Sequence, residues 1–185
     1  MIQIRQALPK DAASIAKLIN LAMLEITYQF IQKEDKEEAD NFIAYFVGRQ
    51  DNQYSYQNIW VMEEDGNIVG QISMYDGASL KALRQPVLNR IKTEYHNDYY
   101  PSDETQAGEI YIDTFGVDPI HQGKGFGKKL LQFAIDKVVK QEHKILGLLV
   151  DNDNPDAKRL YERLGFQVVN EIDIFGKKME HMQYA

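Results

Sequence analysis

The chain has 185 residues, no cysteine, 44% hydrophobic and 26% charged residues, and a formal net charge of −7. That length suits one domain, here 1–185, able to bury most of its unfolded surface; the missing cysteines exclude disulfides, thiolate metal sites and a cysteine nucleophile, and so acidic a chain lacks the basic face that nucleic acid requires. No apolar run is long enough for a membrane, and Arg5, Lys10 and Asp11 interrupt any signal-like stretch, so a cytoplasmic, membrane-free protein is expected.

Ile2 to Arg5 reads as a strand, followed from about Pro9 by a helix that turns Ala12, Ile15, Leu18, Ile19 and Ala22 inward. A second helix over Lys36 to Val47 buries Ala39, Phe42, Ile43 and Phe46, and its acidic start, Glu34 to Asp40, is a solvated face. These helices and their loop are expected to wall a substrate site. Ile59 to Met62 and Ile68 to Tyr75 pair as a hairpin across Glu64-Asp65-Gly66-Asn67. Residues 77–107 then form an insertion, helical from Gly77 to about Ile91 and a polar, aromatic loop from Glu94 to Gln106. So long a connection is unusual in a small domain unless functional; a substrate lid and a surface or dimer contact stand as equal alternatives, with Tyr99 and Tyr100 the residues to test.

Glu109 to Val117 alternates Ile110, Ile112 and Thr114 on one side with Tyr111, Asp113, Phe115 and Val117 on the other, the period of a strand. The next turn contains Gly123, Gly125 and Gly127 and opens a helix carrying Leu130, Leu131, Ala134, Ile135 and Val138 at helical spacing. Its first N–H groups lack intrahelical partners. With the helix dipole and Lys124, Lys128 and Lys129 alongside, the turn is suited to hold a phosphate. The spacing excludes a Walker loop, which needs G-x-x-x-x-G-K followed by Ser or Thr, and a dinucleotide fingerprint, whose third glycine falls one position later.

Ile145 to Val150 reads as a buried strand. Asn154-Pro155 then caps and starts a helix with Ala157, Leu160, Tyr161 and Leu164 on one face, and Gly165 ends it before Phe166. Strands at Gln167 to Glu171 and Lys178 to Tyr184, joined by the turn Ile174 to Lys177, complete the chain. His96, His121, His143 and His181 are scattered without ligand spacing, so no metal is expected, and His121 reads as a solvated loop side chain.

Two motifs identify a family resemblance. Gln122, Gly125 and Gly127 form Q-x-x-G-x-G after a strand, and Asn154 to Phe166 reads N-x-x-A-x-x-L-Y-x-x-x-G-F. In this order and spacing the chain resembles the GCN5-related N-acetyltransferase (GNAT) superfamily, strongly over Glu109 to Phe166 and loosely elsewhere, where Asp11-Ala12 to Ile15 is similar to the opening helix. The resemblance implies an α/β three-layer sandwich, with a mixed, mostly antiparallel sheet splayed at the cofactor site and helices on both faces. It implies acetyl-coenzyme A, with pyrophosphate on Gln122, Gly123, Lys124, Gly125, Phe126, Gly127 and Lys128, the pantetheine arm along Phe115 and Val117, and Asn154 beside that arm. Tyr161 matches the tyrosine that protonates the departing thiolate, so losing its hydroxyl is expected to slow the reaction without abolishing it.

In the histone-modifying branch a glutamate serves as general base at the position of Tyr111, and the present sequence departs from that pattern. Asp113 is the first candidate to replace it and Glu109 the second, on one strand face if no bulge intervenes; the alternative for both is a strand-edge carboxylate paired with a Lys or Arg. The function implied is direct transfer of an acetyl group to the primary amine of a small molecule, with a cationic acceptor matching the chain's acidity. A peptide or protein N-acetyltransferase and a non-catalytic coenzyme A binding module are the alternatives. A homodimer is compatible with the fold, and polyamine, aminoglycoside, amino acid and peptide acceptors stay open.

Overall fold

The computed structural model describes residues 1–174 and 176–185. Its elements are β1 (Ile2–Gln6), α1 (Ala12–Ile31), α2 (Lys36–Val47), β2 (Ile59–Glu64), β3 (Asn67–Asp76), α3 (Leu80–Tyr95), β4 (Glu109–Val117), α4 (Phe126–Ile135), β5 (Ile145–Asp151), α5 (Pro155–Leu164), β6 (Gln167–Ile174) and β7 (Lys177–Tyr184). Local chemistry sets several of these ends. Asp35 Oδ1 accepts the Glu38 N–H at 3.0 Å to start α2, and Asn154 Oδ1 accepts the Ala157 N–H at 3.1 Å to start α5, with Pro155 in the first turn.

The seven strands form one sheet in the order β1-β2-β3-β4-β5-β7-β6. Every neighbouring pair is antiparallel except β4 with β5. Two apolar clusters cover the sheet's two faces. One packs α1, α2 and α3 around Ile15, Phe42 and Ile91 on one face; the other packs Leu130, Leu131 and Ala134 of α4, with the apolar face of α5, against the opposite face. The mixed three-layer sandwich is as expected. No helix among the described residues is long and apolar enough to cross a membrane.

Two features of β4 position the site. It pairs with β5 only from Glu109–Ile145 to Ile112–Leu148, so the strands part beyond Ile112. Against β3, the register slips between Ser73 and Met74, which leaves Asp113 as an extra residue in a β-bulge. The bulge corrects the expected alternation: Asp113 and Thr114 both face the α1 side with Tyr111, and Phe115 and Val117 pass to the α4 side with Ile110 and Ile112. Ala22, expected inward, is exposed beside the bulge, where α1 kinks at Met23 (φ −127°, ψ 20°). The insertion's helix runs further than expected, to Tyr95. The expected turn between β6 and β7 includes Phe175, which lies outside the described residues.

Candidate active site

The glycine turn joins β4 to α4 with its amides directed outward. Gly125 is the N-cap of α4 at φ 78°, and Gly123 has the same φ, a left-handed conformation that side-chain-bearing residues rarely adopt. Gly127 is small for a different reason: a Cβ there would lie 3.1 Å from Phe115 Cζ. Among the described residues, the backbone N–H groups from Gly123 to Lys128 have no hydrogen-bond acceptor. Gln122 braces the loop from below, its Nε2 donating to the Val117 carbonyl at 3.1 Å. A run of free amides at a helix start suits a pyrophosphate.

Beside this turn a groove opens where β4 and β5 diverge, bordered by Leu21 and Ala22 of α1 and by α5. Every residue expected to hold the cofactor lines it except Lys124, whose ammonium lies 3.8 Å from Glu64. His121 is not a solvated side chain: its ring stacks on Phe126 (centroids 6.3 Å apart, planes 18°) and its Nε2 lies 3.4 Å from Glu64. Tyr161 reaches the groove from α5 and packs edge-on against Phe166 at 5.9 Å. Burial pushes its phenol up to about 12. It therefore keeps its proton at neutral pH and is suited to donate it.

A second groove continues from the first, sharing Leu21, Ala22 and Asn154, and runs past Tyr99 and Tyr100 of the insertion to Asp113. Asp113 Oδ1 accepts from Tyr75 Oη and from Gln53 Nε2, both at 3.2 Å. Its Oδ2 is shielded from solvent and has no partner, although the residue as a whole stays partly accessible. Gln53 Nε2 also donates to Glu104 Oε1 at 3.0 Å, and Glu104 is paired in turn with the buried guanidinium of Arg84. Burial first, then the nearby Glu104 carboxylate, raises Asp113 to about 7. The group can thus exchange a proton near neutral pH.

Glu109 is placed elsewhere, correcting its pairing with Asp113 as a candidate base. It lies on Asp113's sheet face but at the first residue of β4, buried, with Oε2 2.9 Å from His181 Nε2 and 2.6 Å from Gln183 Nε2. It borders neither groove. Gly147 makes room for it, since a Cβ there would lie 2.2 Å from that carboxylate. Sequence reasoning missed Gln53, Arg84 and Glu104, which together with Tyr75 support Asp113 from four separate segments. The only sequence signal was a charged residue, Arg84, on the helix of the insertion.

Comparison with known proteins agrees with this geometry. The sequence model of the acetyltransferase (GNAT) family matches residues 18–166. An L-amino acid N-acyltransferase, MnaT, of Escherichia coli K12 is 29% identical over 177 residues, covering 96% of this chain and 86% of the relative. The spermine/spermidine N(1)-acetyltransferase of Bacillus subtilis strain 168 is 36% identical over 78 residues, 42% of this chain and 51% of that protein. A crystal structure described as an acetyltransferase superposes with a TM-score of 0.82 at 32% identity, over 98% of this chain and 97% of its own. With the family matched over most of its length and its fold reproduced, the chain belongs to the acetyltransferase (GNAT) family and is an acetyltransferase that uses acetyl-coenzyme A.

Proposed function

We propose that the protein acetylates the primary amine of a small molecule directly, with Asp113 as general base and Tyr161 as general acid. The observation that carries this reading is the continuity of the two grooves through Leu21, Ala22 and Asn154, which sets a line of free amides and a phenol on one side and a carboxylate with an unpartnered oxygen on the other. Acetyl-coenzyme A supplies the acyl group and departs as the thiol.

The amides of Gly123 to Lys128 hold the pyrophosphate, and Phe115, Val117 and Asn154 border the arm that leads to Tyr161. A primary amine attacks only when neutral, yet is mostly protonated at pH 7. Asp113 Oδ2 takes that proton. As the new C–N bond forms and the C–S bond breaks, the nitrogen loses its second proton to solvent, the Tyr161 hydroxyl delivers a proton to the sulfur, and the phenolate recovers one from solvent. Glu109, held by His181 and Gln183, has a structural part.

Calorimetric titration of acetyl-coenzyme A into the wild type and Gly125→Glu tests the first half. Saturable binding is expected for the wild type, and its loss in the variant, where a side chain at positive φ adds negative charge among the amides. Equal binding by both proteins removes the turn from the cofactor site.

A further inference from the structure

The substrate groove does not end at Asp113. Beyond it lies a cavity of about 80 Å³ between α1 and α3, which shares Met23, Ile26, Asp113 and Thr114 with the groove. Its apolar side is formed by Met23, Ile26 and Phe30 of α1 and by Val87 and Leu88 of α3. The remaining wall is the polar network, whose members bond one another. Gln53 bridges Glu104 and Asp113, and Arg84 donates to Glu104, to the Pro101 carbonyl at 3.0 Å and to the Ser102 carbonyl at 3.2 Å.

Two buried atoms on this lining have no partner: Asp113 Oδ2, which needs a donor, and Arg84 Nε, which needs an acceptor. An ammonium or amine N–H meets the first demand. A hydroxyl at the far end of a short chain meets the second. Burying apolar surface against Met23, Ile26, Phe30, Val87 and Leu88 is favourable. The volume limits the length, because an engineered apolar cavity of about 150 Å³ accepts benzene, and half of that space holds roughly three to four carbons.

Charge narrows the class further. Among the described residues of groove and cavity, the basic side chains are Arg84, paired with Glu104 and with Asp103 at 3.1 Å, and Lys177, paired with Asp151 at 2.6 Å. A carboxylate on the acceptor would enter beside Asp113 and Glu104 with no cation free to balance it, a costly burial. A second ammonium in the cavity would lose its water among apolar side chains, with the Glu104 carboxylate already held by Arg84.

We propose that the acceptor is a primary amine bearing one short, uncharged arm of roughly three to four carbons, with or without a terminal hydroxyl, and that this arm fills the cavity while the nitrogen meets Asp113 Oδ2. The proposal rests on the acetyl-transfer reading above, and it names the substrate class of that site.

Two matched pairs of amines test it in a thiol-release assay. Isobutylamine and L-valine differ only in a carboxylate; butylamine and 1,4-diaminobutane differ only in the charge at the end of the arm. The expected kcat/KM is at least about tenfold higher for the uncharged member of each pair. Leu88→Trp, which fills the cavity, is expected to raise KM for isobutylamine by about tenfold, with calorimetric binding of acetyl-coenzyme A showing that the variant is folded. If that variant does not bind, Ile26→Phe takes its place. Faster turnover of L-valine or of 1,4-diaminobutane than of its partner overturns this proposal alone. Turnover of none of the four by a protein that binds acetyl-coenzyme A overturns the proposed acceptor class, whereas the acetyl-transfer reading itself fails only if acetyl-coenzyme A does not bind.

Discussion

As the proposed base, Asp113 carries a cost in stability. Its proton affinity is lifted to about 7 in the folded state by burial and by Glu104, against about 3.9 for an unfolded aspartate. The stability it contributes is therefore fully present below about pH 4 and is lost as pH rises through about 7. Asp113→Asn keeps an oxygen to accept from Tyr75 and Gln53 but cannot ionise. Its melting temperature is expected to exceed that of the wild type by an amount that grows from pH 4 to pH 8. In the same variant kcat/KM falls by about 10²–10⁴-fold and loses the wild type's rise through pH 7. A melting difference that does not vary with pH, or a surviving kinetic limb, removes Asp113 from the base role. Tyr161 calls for a milder outcome, because a thiol is already a good leaving group. For Tyr161→Phe, kcat is expected to drop by about tenfold to hundredfold with acetyl-coenzyme A affinity within about twofold of the wild type. An undiminished kcat would assign the proton to water.

At the scale of elements, the insertion is built into the wall of the site. Arg84 of α3 is only 2% exposed and joins the helix to the segment that follows it, through Glu104, Pro101 and Ser102. Asn97 ties the same segment to α1 by donating to the Gln29 and Phe30 carbonyls at 2.7 and 3.0 Å. Removing one member of a buried ion pair leaves the other charge without compensation, whereas replacing both can be nearly neutral. Arg84→Met is accordingly expected to lose roughly 3–5 kcal/mol in urea unfolding, and the double variant Arg84→Met/Glu104→Leu to recover most of it. An equal loss in both would assign the effect to packing. None of this was legible from spacing. Arg84 and Glu104 are brought together by the path of a long connection, and Gln53 reaches Asp113 from a loop 60 positions earlier. The glycine turn and α5 were legible because their caps, breakers and phosphate-facing amides are fixed by adjacent residues. The bulge at Asp113 lies between these cases: it is local, but β4 reads as unbroken alternation, and only pairing with β3 reveals the slip.

The molecule as a whole is a sheet in two parts, β1 to β4 and β5 to β7, joined by the pairing of Glu109–Ile112 with Ile145–Leu148. The proposed cofactor groove lies where that seam opens, with the glycine turn after β4 on one side and α5, which follows β5, on the other. A ligand held there touches both parts and binds the native state alone, so it stabilises by mass action: about 2.7 kcal/mol at a hundred times its Kd. For a chain of this length each kcal/mol moves the melting temperature by about 2–4 °C. Acetyl-coenzyme A at that excess is thus expected to raise the melting temperature by roughly 5–11 °C, and Gly125→Glu to show no rise. Because the seam is short, the ligand should act most strongly on opening between the parts. In hydrogen exchange, the amides of β5 and β7 are expected to gain more protection on binding than those of β2 and β3. Uniform protection would mean that the sheet opens as one unit and that the ligand reports only global stability.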